Sequence, residues 1–307
     1  MKNLIHLVLV ILLVVTNFII STQASWAASP NEDTIGFERV DPNSHLAHAT
    51  VYIVATDKSR EQFSCTGTLI SEEIVLTAAH CLDKDILTFS VYFGVAEVIQ
   101  NFVISKAVIN ITYRDVIRHE NYIEPSLALI HNKSNYNFND IGIMNLKASS
   151  NLKKLNYAIK PISLYSGNLK NLMSKYSKVR AAGFGVTKKQ KKRGAPEILN
   201  QDVLSFHRWM KKNFESDPNQ IFFKMKLKHG LIPGDSGGPS FVYQKDKTPI
   251  QFGINSYGFG YSFASMINWY TYAASTNISL HKDWITNNIK NLGGDPDKVT
   301  WVDELNP

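Results

Sequence analysis

The feature that most constrains this chain is a recurrence of short segments rich in β-branched and aromatic residues, separated by turn-forming ones. Ala49–Val54, Ile74–Leu76, Phe89–Phe93, Phe102–Ile104 and Ile141–Met144 occupy the first half. Lys178–Ala182, Ile221–Met225, Ser240–Tyr243 and Ile250–Ile254 occupy the second. Many short strands at such spacing predict an all-β barrel or sandwich. One late stretch departs from the pattern. Between Ser279 and Ile289, the residues Leu280, Trp284, Ile285 and Ile289 fall at helical spacing, with Ser279 as the expected cap and Asp283 in the early turns. A sheet-rich body ending in one amphipathic helix is expected, followed by a short tail over 291–307.

Composition agrees with a globular body. With 307 residues, 44% hydrophobic and 19% charged, wholesale disorder is excluded, and one large or two small domains fit. Gly 17 and Pro 11 exclude collagen-like or Pro-rich low complexity. Two cysteines exclude a disulfide-dense miniprotein and any cluster or zinc site built on four of them. The net charge of +7 is uneven: Lys188–Arg193 holds five positive charges in six residues, after Gly183 and Gly185 and before Gly194 and Pro196. That run reads as an exposed loop, either meeting an anionic surface or simply solvated. No aromatic residue interleaves it, which argues against a specific nucleic-acid partner.

The first residues read as a targeting segment. Lys2 precedes an apolar run from Leu4 to Val15, extended by Phe18–Ile20, and small residues end it at Ser25-Trp26-Ala27-Ala28. This describes a secretory signal peptide over 1–27, cut after Ala27. The alternative is a retained anchor, since Leu4 to Ile20 is near the lower limit of a span. After cleavage no membrane segment is expected, and the product is secreted or periplasmic. Export makes oxidation of Cys65 and Cys81 to a disulfide the favoured reading over two buried thiols.

The strongest chemical signal is Pro233-Gly234-Asp235-Ser236-Gly237-Gly238-Pro239. A serine between glycines is a nucleophile candidate. Glycines allow a tight turn and leave N–H groups unshielded for an oxyanion. A Gly-rich turn without chemistry is the plain alternative. Serine needs a base. The α/β-hydrolase elbow is set aside, because an acid and then a histidine must follow the serine, and too little chain with too little βα alternation follows Ser236. Among nine histidines, His80 is distinguished by its place after the apolar strand Ile74–Leu76 and beside Cys81. His45 and His48 form only a weak metal pair with no third ligand. Asp140, at the entrance of an apolar strand, is the acid candidate, though a strand-start aspartate is common.

Three blocks together resemble one family. Ser64–Ile70 running on to Leu76-Thr77-Ala78-Ala79-His80-Cys81 is similar to the histidine block of trypsin- and chymotrypsin-like serine proteases. Asn139-Asp140-Ile141-Gly142 is similar to their aspartate block, and Gly234–Pro239 to their serine block, in the same order. Ala182–Gly185, Ser256-Tyr257-Gly258 and Asp283-Trp284-Ile285 add further likeness, which covers roughly residues 35–290. The resemblance, to a secreted member of bacterial type, implies two six-stranded antiparallel β-barrels with the site between them. It implies Ser236 as nucleophile, His80 as base, Asp140 as its orienter, and the N–H groups of Gly234 and Ser236 as oxyanion hole. Ser256 would support Asp140, and Gly258 would pair with the substrate backbone. Cys65 and Cys81 would staple the loop bearing His80. Protein or peptide substrates are implied; no cofactor or metal is needed.

Several positions depart from the family. Ile232 stands where a cysteine is usual. Gly230 stands where trypsin carries a pocket-base aspartate, with Leu231 beside it, so an apolar or small P1 residue is expected. Asn255 is expected to put a polar group near the pocket. Thr34-Ile35-Gly36-Phe37 resembles an activated N-terminus whose Ile35 would pair with Asp235, yet Asp33-Thr34 offers no basic cleavage site. A short propeptide over 28–34 and an active form without that step are both open. An insertion over 123–137 is expected near the cleft. A non-catalytic binding protein on the same fold is the competing function, and a polyanion binder using the basic loop is a third.

Overall fold

The computed structural model describes residues 38–95, 97–99, 102–123, 139–147, 149, 157–185, 199–206, 219–225, 231–260 and 271–307. The expected signal segment, Ile35, the basic loop over 188–193, Gly230 and nearly all of the 123–137 insertion lie outside them.

The first half supplies β1 (Glu38–Arg39), helix α1 (His45–Ala49), β2 (Thr50–Asp57), β3 (Gln62–Leu69), β4 (Ile74–Thr77), β5 (Ile86–Phe93), β6 (Glu97–Ile99), β7 (Phe102–Ile104), β8 (Ala107–Thr112), β9 (Val116–Arg118) and β10 (Gly142–Asn145). Seven of these pair in the order β8-β5-β2-β3-β4-β10-β9. Two-residue alternation sets which face turns inward. In β8, Ile109 and Ile111 are buried, while Val108, Asn110 and Thr112, which alternate with them, are exposed. The central strand β4 is buried throughout.

The second half supplies β11 (Ser163–Tyr165), helix α2 (Leu169–Lys175), β12 (Val179–Gly183), β13 (Asn200–Phe206), β14 (Gln220–Met225), β15 (Pro239–Tyr243), β16 (Pro249–Gly260), β17 (Thr271–Asn277), helix α3 (Lys282–Asn291) and β18 (Trp301–Val302). The order β15-β12-β13-β14-β17-β16 returns to β15, closing a six-stranded barrel. Its core holds Phe206, Phe223 and Phe252, with ring centroids 5.7, 6.2 and 6.3 Å apart. Such ring pairs add about 0.5–1.5 kcal/mol each beyond simple burial.

The chymotrypsin-like, all-β expectation holds, with one refinement. One barrel is closed; the other half is a seven-stranded half-barrel whose edges, β8 and β9, do not meet among the described residues. Also, β11 joins β16 and β18 in parallel rather than antiparallel fashion. Closure depends on which edges pair, and side-chain alternation does not report that.

The halves are tied by exchange at both ends. β1 pairs with β13 of the other half. Helix α3 returns to bury Ile285 and Ile289 in the first half's core, and Asn145 Nδ2 donates to Leu292 O at 2.7 Å. Tyr52 meets Phe184 edge-on across the junction, at 5.4 Å. The helix begins differently from expectation. A 3-10 turn, Ile278–His281, precedes it, and Asn277 is the cap, accepting the Ser279 N–H at 3.2 Å and its hydroxyl at 2.9 Å. The extra turn puts Leu280 out of register, and it is 50% exposed. In the expected tail, β18 pairs with β11 and Leu305 is buried. No helix among the described residues is long and apolar enough to cross a membrane.

Candidate active site

β4 ends at Thr77, and a tight 3-10 turn follows at Ala79–Leu82. Ala79, Cys81 and Leu82 are buried, so the turn is gripped from inside and His80 is the half-buried residue. Cys81 is disulfide-bonded to Cys65 on β3. A closed loop of this length is worth roughly 3 kcal/mol in the chain-entropy picture.

Asp140 stands just ahead of β10, and its side chain is 3% exposed. Preceding Asn139 lies in the left-handed region at φ 40°, and the Ile141 N–H returns to its carbonyl at 2.8 Å. Asp140 receives three donors. His80 Nδ1 lies 2.8 Å from Oδ2, and the His80 backbone N–H donates to Oδ1 at 3.0 Å. Ser256 donates its hydroxyl to Oδ2 at 2.5 Å. Burial alone would raise the carboxyl's pKa; the His80 imidazole and these hydrogen bonds outweigh it and hold it below the usual value.

Ser256 reaches Asp140 because β16 bulges there. Asn255 pairs with Ser275 and Tyr257 with Ala274, leaving Ser256 as the extra residue. Further along, Tyr257 donates its hydroxyl to Gln220 Oε1 at 2.8 Å, and Gly258 pairs with Ala273. Leu231 is half-buried, beside Asp235 and Gly185.

The serine loop is fastened to both halves. Thr66 N–H donates to Ser236 O at 2.8 Å, and Thr66 Oγ1 to Gly234 O at 2.7 Å. Cys81 Sγ lies 3.8 Å from the same Ser236 oxygen, so Ser236 sits against the neighbour of His80. Gly237 has φ 82°, and a Cβ there would strike Thr77 Oγ1 and the Thr66 carbonyl. Asp235 is buried and accepts the N–H groups of Ile232 at 2.9 Å and Gly185 at 2.8 Å. Burial pushes its pKa up to about 7 despite these bonds, with Asp202 adding to the rise.

The structure therefore brings His80, Asp140, Ser256 and the Ser236 loop together. It does not put Asn255 at a pocket: that side chain is fully buried, bonded to Ala182 O, Asp235 O and the Ser240 hydroxyl. Thr66 was not singled out from sequence; a threonine inside a buried strand was its only trace. His45 and His48 do not converge on a metal, since each imidazole hydrogen-bonds a carbonyl, Pro161 O at 2.9 Å and Ala158 O at 2.5 Å. The one grouping of potential ligands among the described residues, Cys65, His80 and Cys81, has both sulfurs consumed by the disulfide.

The chain is 32% identical over 196 residues to the snake venom serine protease salmonase of Gloydius brevicauda, covering 64% of this chain and 62% of that protein's length. It is 23% identical over 245 residues to U21-ctenitoxin-Pn1a of Phoneutria nigriventer, covering 72% and 86%. These relatives give no support to the bacterial-type expectation. The solved structure of HL collagenase superposes with TM-score 0.58 at 21% identity, over 84% of this chain and 99% of that one. At that identity the likeness is one of fold. The sequence pattern of the family described as Trypsin runs from residue 35 to residue 285, spanning the His80 turn, Asp140 and the Ser236 loop. The chain belongs to the trypsin family of serine proteases.

Proposed function

We propose that the chain is an exported serine endopeptidase that cleaves protein or peptide substrates with His80, Asp140 and Ser236. The observation that carries this reading is the clamp on Asp140, a buried carboxylate receiving His80 Nδ1 at 2.8 Å. A carboxylate only accepts, so Nδ1 keeps its proton and Nε2 presents a lone pair, the tautomer a general base requires. His80 then takes the proton of Ser236 Oγ as that oxygen attacks the scissile carbonyl, and returns it to the leaving amine. Asp140 stabilises the imidazolium in between. The N–H groups of Gly234 and Ser236 receive the oxyanion. In support, the N–H groups of Asp235, Gly237 and Gly238 bond within the protein, whereas among the described residues no carbonyl takes those of Gly234 or Ser236. Losing one such donor typically costs about 10²–10³ in rate.

Substrate would lie along β16 as an added strand against Gly258, with Tyr257 and Leu231 on the P1 side. An apolar or small P1 residue follows from glycine at position 230, where trypsin carries an aspartate. In the activation step, cleavage before Ile35 would release an ammonium to pair with Asp235. In support, Asp235 is a buried carboxylate whose oxygens accept backbone N–H groups. Residues 1–27 would direct export. Incubating the chain beginning at Ile35 with a peptide library tests the reading. Cleavage that disappears in Ser236→Ala is the expected result. Peptide binding without cleavage, equal in both proteins, would establish the binding module instead.

A further inference from the structure

We infer that Asn255 is a positioning residue for the oxyanion hole, acting through the peptide unit that joins Asp235 to Ser236. This rests on the reading of Ser236 as nucleophile. Asn255 is 0% exposed, and its whole amide is engaged. Nδ2 donates to Ala182 O at 3.0 Å and to Asp235 O at 3.2 Å, and Oδ1 accepts the Ser240 hydroxyl at 2.8 Å. Its backbone adds two bonds to the serine loop. Gly237 N–H donates to Asn255 O, and Asn255 N–H to Gly238 O, both at 2.8 Å.

The contact with the Asp235 carbonyl bears on the chemistry. The peptide unit is planar and trans, so Asp235 C=O and Ser236 N–H point in opposite directions. Two donors, Asn255 Nδ2 and the Gly238 N–H at 3.1 Å, hold that carbonyl. Fixing the carbonyl fixes the aim of the Ser236 N–H. A peptide that accepts at oxygen also donates more strongly at nitrogen. Preorganised donors of this kind stabilise charge in the transition state rather than in the bound substrate. The approach needs a bare Gly238: a Cβ there would lie 3.1 Å from Asn255 Nδ2 and would strike the Ala182 carbonyl. No covalent staple holds the loop, because the chain's two cysteines pair with each other between β3 and the His80 turn. Asn255 thus links the loop to β12 and β16 at one of the two peptides whose N–H groups face the proposed oxyanion.

The test compares wild type with Asn255→Thr, which keeps one donor, and Asn255→Val, which keeps none. Active-site titration counts competent molecules. Per titrated site, kcat on a peptide substrate is expected to fall about 10–100-fold in the Val variant, with an intermediate loss in Thr. Affinity for a peptidyl boronate, which forms the tetrahedral adduct, should fall in parallel. Affinity for the product peptide, and the position of the His80 limb in the pH profile, should stay unchanged. A Val variant with wild-type kcat per site overturns the inference. So does a loss of product-peptide affinity equal to the loss of boronate affinity, the mark of general loosening. If the Val variant does not fold, the Thr variant decides by the same split. Absence of any titratable site in wild type overturns the Ser236 reading itself, whereas a normal wild type with unaltered variants overturns only the role of Asn255.

Discussion

Asp140 and Asp235 are both buried carboxylates, yet they titrate in opposite senses. Asp140 is held below its usual value, so its contribution to stability is complete above the unfolded pKa and is lost as pH falls through the lower folded value. Asp235, raised to about 7, keeps its proton in the folded state where the unfolded chain has lost it. Stability therefore falls as pH rises between the ordinary aspartate range, about 4, and about 7. In the form that retains the residues before Ile35, urea denaturation is expected to show this decline, and Asp235→Asn should flatten it. An unchanged slope in the variant would mean that Asp235 is not the titrating group. Ser256→Ala removes a donor to a charged, buried carboxylate, a bond worth about 1.5–3 kcal/mol. It should lower kcat/KM about 10-fold or more and move the acid limb of the pH profile upward. The residues of the proposed site were legible because each lies in a short local motif: His80 after an apolar strand, Ser236 among glycines. Thr66 drew no expectation and Asn255 was expected at the pocket, because each is placed by partners on other strands and loops. Thr66 meets Gly234, 168 residues away.

At the level of elements, what periodicity encodes was readable and what pairing decides was not. The apolar and aromatic runs at Ile74–Leu76, Phe89–Phe93 and Ser240–Tyr243 each fall within a strand of the structure, whereas β8 drew no expectation from the sequence. The bulge that turns Ser256 toward Asp140 has no local signature, since it arises where β16 and β17 slip by one residue between Asn255 and Tyr257. Helix α3 matches the helical spacing but begins later than expected, because the turn that Asn277 caps is 3-10 and becomes α-helical only at Lys282. Ile289, fully buried against the first half, should cost about 2–5 kcal/mol when cut to alanine. The denaturation midpoint would report that loss, while activity per folded molecule stays near wild type. Replacing Cys65 and Cys81 together with alanine should lower stability by roughly 3 kcal/mol. Unlike Ile289→Ala, it should also slow acylation, because the disulfide grips the turn that carries His80.

For the molecule as a whole, the arrangement follows from two β halves that cannot separate freely. β1 crosses to β13, α3 crosses back to the first sheet, and Thr66 of the first half fastens the Ser236 loop of the second. His80 and Asp140 come from one half, Ser236 and Ser256 from the other, so the proposed hydrolysis exists only where the halves meet. Recurring short segments of β-branched and aromatic residues made the all-β class legible; the single closed barrel, set by edge pairing, was not. Labelling with an organofluorophosphonate, followed by mass spectrometry of the modified peptide, addresses the central claim most directly. One adduct per chain, on Ser236, lost in both Ser236→Ala and His80→Ala, is the result expected of the chain beginning at Ile35. A folded protein that takes no label, or takes it at another residue, would contradict the account.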